Sequence, residues 1–261
     1  MRPLKLGLNL DCLGQPPRPA LLAAAKAGAE GVQFDAAGEL APDRLSATGR
    51  REFRTLLRGH GLEPAAVSVP LRRGLDASED QSRRVDHVRK AMQLATDLGC
   101  RAVVVPLPKL PADGEARGDT LREVLADLSA AADRTGLRLA VEPGLDPGPA
   151  VATYLDGFGP GGPAVCYDPA NFVLNRHDPL SALTALLPRT AVVHARDGRA
   201  ATVGGGGAET ALGGGDVDWF STVAALDAGG YAGFLVSDRH DGPSRATDAA
   251  AGVGFLRRFV P

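Results

Sequence analysis

The strongest constraint on this chain is a rhythm: eight short apolar runs alternate with longer helical stretches from one end to the other. The runs are KLGLNL, GVQFDA, PAAVSVP, AVVVPL, RLAVEP, AVCYDP, AVVHAR and GFLVSD. Near-continuous apolar runs of this length are what strands buried on both faces require. Between them lie the helix candidates Pro19–Gly28, Pro42–Gly59, Gln81–Leu98, Thr120–Thr135, Pro149–Leu155, Pro179–Leu187, Val217–Gly229 and Arg245–Phe259. The segments AKAG, LRGHG, TDLG, DRTG and DAGG put glycine just past a helix, which suits a left-handed cap before the next strand. Asp119 and Asp216 read as N-caps, and Pro42, Pro149 and Pro179 as first-turn residues. Eight β-then-α units in 261 residues, without an intervening linker, predict α/β architecture: a single (β/α)8 TIM barrel over residues 1–261, in preference to an open doubly wound sheet.

Several function classes lose support at once. No GxGxxG follows the first strand, and the late glycine stretch Gly204–Gly207 lacks the GKS or GKT ending of a phosphate-binding loop, so it reads as a loop over the barrel mouth or a spacer. A net charge of −2 gives no general basic footprint for nucleic acid or an anionic membrane. The pairs Arg72–Arg73 and Arg83–Arg84 read as solvated helix or loop charges. No apolar run is long enough to span a bilayer and no signal-peptide core follows the first residues, so a cytoplasmic location is expected. Cys12, Cys100 and Cys166 are widely spaced, which predicts buried thiols and neither a disulfide framework nor a zinc knuckle.

Four of the runs in the second half end on a residue able to ligate a metal: Glu142, Asp168, His194 and Asp238. In a parallel barrel the C-terminal ends of the strands meet at one rim, where these side chains can share one divalent cation. Side chains alternate along a strand, so placing the four inward also turns Ala140, Cys166, Val192 and Val236 inward, one layer below. Those are small apolar residues suited to a barrel interior. The same parity brings Arg196 and His240 to the mouth as candidate substrate-binding groups. Three carboxylates and an imidazole favour Mn²⁺, Mg²⁺ or Co²⁺ and leave Zn²⁺ open. Such an ion, chelating a carbonyl and its neighbouring hydroxyl, stabilises the enediolate formed when the carbon between them loses a proton. Glu142 and Asp238, well separated around the barrel, are the candidate acid/base pair. The plainer reading of each residue taken singly is a helix cap, a loop anchor or a satisfied core histidine.

At this point the residues resemble the xylose isomerase-like TIM barrel superfamily of sugar isomerases and epimerases. AVEPG is similar to its strand-5 glutamate motif, VCYDPANFVLNRHDP to its strand-6 aspartate and following turn, and VVHARD to its His-x-Lys-Asp. LGGGDVDWFSTVAALDAGGYAGFLVSDR resembles its Gly-x-Gly, Asp-Trp and Gly-Tyr-x-Gly tail, which ends in a metal-binding Glu. The resemblance implies metal positions at Glu142, Asp168, His194 and Asp238, with Glu142 and Asp238 catalytic. It also departs from the pattern. Asp238 replaces the Glu and is shorter by roughly 1.5 Å; a misplacement near 1 Å can cost about 10²-fold in rate. Asn171 stands where many members have His, Arg196 replaces Lys, and the ends of strands 2 and 3 lack the usual Glu and His, with Asp35 a possible substitute. Asn171 and Phe172, after the Asp168 turn, are further candidates to face substrate.

The leading expectation is a metal-dependent isomerase or epimerase acting on a small-molecule sugar or polyol ketone, with one divalent ion, no nucleic-acid or membrane partner, and homo-oligomerisation compatible with the resemblance. The alternative is a degenerate barrel that binds a metabolite or partner without turnover. Dehydration as in inosose dehydratase-like lyases would use the same ligands. Abasic-site endonucleases share this barrel but carry a His-rich three-metal site, whereas His60, His87 and His177 here fall in or beside helices and surface loops.

Overall fold

In the computed structural model, which describes residues 4–200 and 207–260, the strands in chain order are β1 (Lys5–Asn9), β2 (Gly31–Asp35), β3 (Glu63–Ser68), β4 (Ala102–Pro106), β5 (Arg138–Glu142), β6 (Ala164–Tyr167), β7 (Thr190–Ala195), β8 (Asp197–Arg199), β9 (Ala208–Thr210) and β10 (Phe234–Ser237). Eight of them close a barrel in the order β1-β10-β7-β6-β5-β4-β3-β2, and β8 with β9 forms a separate two-stranded antiparallel ladder. Every neighbouring pair in the barrel is parallel. The eight apolar runs are therefore the eight barrel strands, and the (β/α)8 architecture is as the sequence predicts.

Helices α1 (Pro17–Lys26), α2 (Ala47–Gly59), α3 (Gln81–Leu98), α4 (Ala116–Asp133), α5 (Gly148–Asp156), α6 (Pro169–Leu174), α7 (Pro179–Leu186), α8 (Trp219–Ala228) and α9 (Arg245–Leu256) surround it. Strand parity divides the core in two. Ala65, Ala102, Ala140, Ala164, Cys166, Val192 and Val236 fill the interior, where the narrow bore admits only small side chains. The alternate positions, such as Leu6, Phe34, Leu139, Tyr167 and Leu235, pack outward with the helices. Each Leu or Phe buried there contributes about 2 kcal/mol by removal of apolar surface from water.

Helix ends follow local chemistry, with three corrections. Gly28, Gly61, Gly99, Gly136 and Gly230 all take the left-handed conformation expected of helix caps. Pro42 does not open a helix, because Ser46 caps α2 by accepting from Gly49 N. Asp119 lies inside the first turn of α4 and Glu115 holds the cap position. Asp216 accepts from Ala200 N instead of capping; Asp218, two residues on, caps α8 through Ser221 N. Trp219 is buried, and its Nε1 donates to Asp197. Of the glycine stretch, Gly204–Gly206 lie outside the described residues. Among the described residues no helix is long and apolar enough to cross a membrane.

Candidate metal centre and active site

The C-terminal ends of β5, β6 and β7 bring Glu142, Asp168 and His194 together, with one ligand atom from each lying within 4.8 Å of the others. Ligands about 2.0–2.6 Å from a shared cation sit about 3–4.5 Å from one another, so the trio fits a single divalent ion. Two carboxylates and an imidazole suit a hard to borderline metal. Asp238, just past β10, borders the trio from the other side, with Oδ2 3.7 Å from His194 Nδ1.

Each member is held by its surroundings. Asp168, fully buried, caps α6 with Oδ1, which accepts from Asn171 N, and presents Oδ2 to Arg196 Nη1 at 2.5 Å. The cap reading and the ligand reading of this residue thus describe different oxygens. Asn171 bridges the cluster: its Nδ2 donates to Glu142 Oε1 at 3.2 Å, and its Oδ1 accepts from Arg196 Nη1 at 3.0 Å. Its close approach needs Gly144, since a Cβ there would come within 2.4 Å of the Asn171 Cβ. That accounts for the glycine of AVEPG. His194 Nδ1 faces Glu142 Oε1 at 3.2 Å and Nε2 faces Gln33 Oε1 at 2.9 Å.

Electrostatics set the protonation states. Burial opposes charge on His194, but the Cys166 sulfur and the Glu142 carboxylate outweigh it and hold the imidazole well above its ordinary range. Ligation of a cation through Nδ1 requires that nitrogen to be free of its proton. Burial would raise Glu142, yet His194 and Arg196 hold it below the usual carboxylate range. Asp168 is raised by burial, with Arg196 opposing. Asp238 is driven well below the usual range: burial is overcome by the hydrogen bond and charge of His240, whose Nε2 lies 2.9 Å from Oδ2, and by His194. Glu142 and Asp238 are therefore both ionised at neutral pH.

A cavity of about 300 Å³ opens at this rim, and Glu142, His194, Asp238 and His240 line it together with Gln33 and Asp35. Phe172 does not face it. The ring is fully buried and stacks on Tyr167 at 5.9 Å in the layer between barrel and helices. Arg196 engages Asp168, Asn171 and, through Nε, Glu209 at 3.3 Å.

Four residues at the site escaped the sequence reading. Gln33, fully buried, holds His194 and leaves its own Nε2 without a partner among the described residues. Its inward position on β2, two before Asp35, was the available signal. Asn9 Nδ2 and Cys12 Sγ both donate to Asp238 Oδ1, at 3.1 and 2.8 Å. Cys12 is buried as expected of a thiol, but it serves the site. Glu209 on β9 accepts from the backbone N–H groups of His240 and Asp241; nothing in its polar surroundings marks it.

A sequence profile described as xylose isomerase-like TIM barrel matches residues 21–259. The fold is similar to a xylose isomerase domain protein from Planctomyces limnophilus, with a TM-score of 0.87 and 21% identity over 99% of this chain and 97% of that one. A xylose isomerase-like TIM barrel protein from Mycobacterium smegmatis, in complex with magnesium, superposes with a TM-score of 0.78 and 17% identity over 99% and 96% of the two chains. A D-allulose 3-epimerase from Methylomonas sp. gives 0.74 and 17% over 99% of each. No curated protein matches the sequence.

Proposed function

Because the chain belongs to the xylose isomerase-like TIM barrel family, we propose that it is a divalent-metal-dependent isomerase or epimerase that moves a proton next to the carbonyl of a sugar or polyol ketone. The observation that carries this reading is the convergence of Glu142, Asp168 and His194 beside a cavity that Glu142 and Asp238 both line. The magnesium of the Mycobacterium smegmatis protein and the epimerase activity named for the Methylomonas enzyme support it.

Glu142, Asp168 and His194 would hold the ion, with Asp238 completing the set. When bound, the ion supplies positive charge to the carbonyl and hydroxyl oxygens of the substrate, which makes the carbon between them acidic. The chain's own residues do the rest. Glu142 and Asp238 stand on strands three steps apart around the barrel, and both are ionised. A carbon seated in the cavity between them would lose its proton to one carboxylate; the carboxyl so formed returns it on the same face, and delivery to the opposite face needs the other carboxylate to have taken a proton from solvent first. Asn9 and Cys12 fix one oxygen of Asp238, so the shorter side chain is held in a single orientation. Unpaired Gln33 Nε2 is a donor for a substrate hydroxyl.

One observation favours a second reading, a barrel that binds a metabolite without turnover. Arg196 Nη1 already sits on Asp168 Oδ2 at 2.5 Å, an internal cation where the ion would compete. Calorimetric titration of chelator-treated protein with Mn²⁺, Mg²⁺, Co²⁺ and Zn²⁺ separates the two. The metal reading expects about one ion per chain, weakened by Asp238→Ala. It further expects ketose-dependent exchange of solvent deuterium that Glu142→Gln slows about 10³-fold. Absence of binding to the unsubstituted protein would overturn it in favour of the metabolite binder.

A further inference from the structure

Between β7 and α8 the chain leaves the barrel to form the short antiparallel ladder of β8 and β9, in which Gly198 pairs with Glu209. Asp197 fixes the root of this ladder. Fully buried, it accepts from the backbone N–H groups of Gly198, Gly213 and Val217 and from Trp219 Nε1, and a Cβ at Gly215 would collide with its Oδ1. The anchored ladder carries Glu209 to the barrel rim, where its side chain is buried beside that of Arg196. A buried carboxylate needs partners, and Glu209 draws them from both ends of the ligand set. Oε1 accepts from Arg196 Nε at 3.3 Å and from the His240 N–H at 2.9 Å, Oε2 accepts from the Asp241 N–H at 3.0 Å, and Arg239 Nη1 lies 3.8 Å away. Arg196 in turn sits on Asp168, and His240 on Asp238. One carboxylate from outside the barrel therefore stands behind two candidate ligands.

The Arg196 guanidinium is shared unevenly. Nη1 donates to Asp168 Oδ2 at 2.5 Å and to Asn171 Oδ1 at 3.0 Å, whereas Nε reaches Glu209 only at 3.3 Å and Nη2 makes no hydrogen bond among the described residues. Nε and Nη2 form one edge of the guanidinium, and a carboxylate can accept from both in the forked pair that makes arginine–carboxylate contacts strong. Half of that fork is set and half is open. Because Asp168 Oδ1 caps α6, Oδ2 is the oxygen left to ligate, and Arg196 covers it. An arginine displaced from there with no other carboxylate at hand would be a buried cation without compensation. We propose that Glu209 is a positioning residue: it receives the Arg196 guanidinium when Asp168 Oδ2 turns from the arginine to a divalent cation, so that the ligand is released while the arginine's charge stays paired. The inference rests on the metal-dependent reading for the event that frees Asp168.

The test uses the full chain, stripped of metal, and reads Mn²⁺ affinity by calorimetry in a double-substitution cycle of Glu209→Gln and Arg196→Gln. Glu209→Gln removes the charge but keeps an oxygen for the His240 and Asp241 N–H groups, so the segment after β10 stays tethered. In the otherwise unsubstituted protein it is expected to raise the Mn²⁺ dissociation constant about tenfold or more, the usual cost of losing a partner behind a ligand. In the Arg196→Gln background no guanidinium needs a second carboxylate. There the same change is expected to alter affinity by no more than about twofold, the ordinary limit of additivity. Arg196→Gln alone should tighten binding, because the competitor for Asp168 is gone. Equal losses in both backgrounds would make Glu209 a general source of negative potential and overturn the exchange. Weaker binding by Arg196→Gln would also overturn it, since the arginine would then be holding Asp168 in place for the ion. Either result leaves the metal-dependent reading standing, whereas absence of Mn²⁺ binding to the unsubstituted protein overturns both. Thermal unfolding in chelator checks that each variant is folded, and Arg196→Met replaces Arg196→Gln in the cycle should the latter not fold.

Discussion

The two sides of the barrel mouth are built from different chemistry. On β5, β6, β7 and β10 the strand ends present Glu142, Asp168, His194, Arg196 and Asp238, and each of these is hydrogen-bonded or ion-paired to another charged or polar group. On β2, β3 and β4 the cavity is walled by Gln33, Asp35, Ser68 and Pro106. There Gln33 Nε2 is unpartnered, and the Asp35 carboxylate accepts no hydrogen bond among the described residues. The difference teaches where a ligand is needed. The linked side satisfies its charges internally and is poised to exchange an internal cation for an external one. The open side keeps polar groups whose desolvation is compensated only when something binds.

The most damaging way to break this contrast is to remove the cation of the linked side. Arg196→Leu strips Asp168 and Glu209 of their buried partner, and an uncompensated buried carboxylate typically costs about 3 kcal/mol or more. Urea unfolding in chelator should show a loss of that order, and Mn²⁺ should restore part of it by supplying the missing charge. Unchanged stability in chelator would mean that the 2.5 Å contact does not hold this rim together.

On the open side the expected effect is smaller and of opposite sign. Asp35 is pushed up to about 7, first by burial and then by the charges of Asp11 and Asp238. A carboxyl raised in the folded state keeps its proton while the unfolded chain loses it, so stability falls as pH rises from about 4 to about 7 and stays low above. Asp35→Asn removes that penalty. The variant should equal the parent near pH 4 and exceed it by about 2 kcal/mol above pH 7, after allowance for partial solvent screening. Urea midpoints at pH 4.5, 6 and 8 check this. A difference that does not change with pH would place Asp35 in water.

The contrast also explains what the sequence revealed. Glu142, Asp168, His194 and Asp238 were legible because each terminates an apolar run, and a run that ends on a charge marks the rim of a parallel barrel. Strand parity carried Arg196 and His240 with them. The Arg196–Asp168 pair itself was not legible: a barrel puts β6 and β7 side by side, but which group the Arg196 side chain reaches depends on its rotamer, which no sequence pattern fixes. Gln33 is neutral and sits inside its run, so only its inward parity on β2, two residues before Asp35, could have singled it out. The β8–β9 ladder has three-residue strands around a glycine stretch, too short for any period to register, and Glu209 went unseen with it. Phe172 misled for a related reason: proximity in sequence to Asp168 placed it near the pocket, but the α6 turn rotates it into the outer core.

The finest discrimination between the two sides lies at a side-chain hydrogen bond that joins them, from His194 Nε2 to Gln33 Oε1 at 2.9 Å. Gln33→Leu deletes this acceptor, and outer partners of a ligating histidine typically contribute 10- to 100-fold to metal affinity by fixing the ring. The same substitution removes an amide nitrogen that is buried without a partner, a gain that offsets the loss of the acceptor. Stability in chelator should therefore change little, while the Mn²⁺ dissociation constant rises about tenfold, or about 1.4 kcal/mol. The opposite pattern, lower stability with metal affinity untouched, would make Gln33 a structural strut. The division of the mouth into a linked and an open side would then need another boundary.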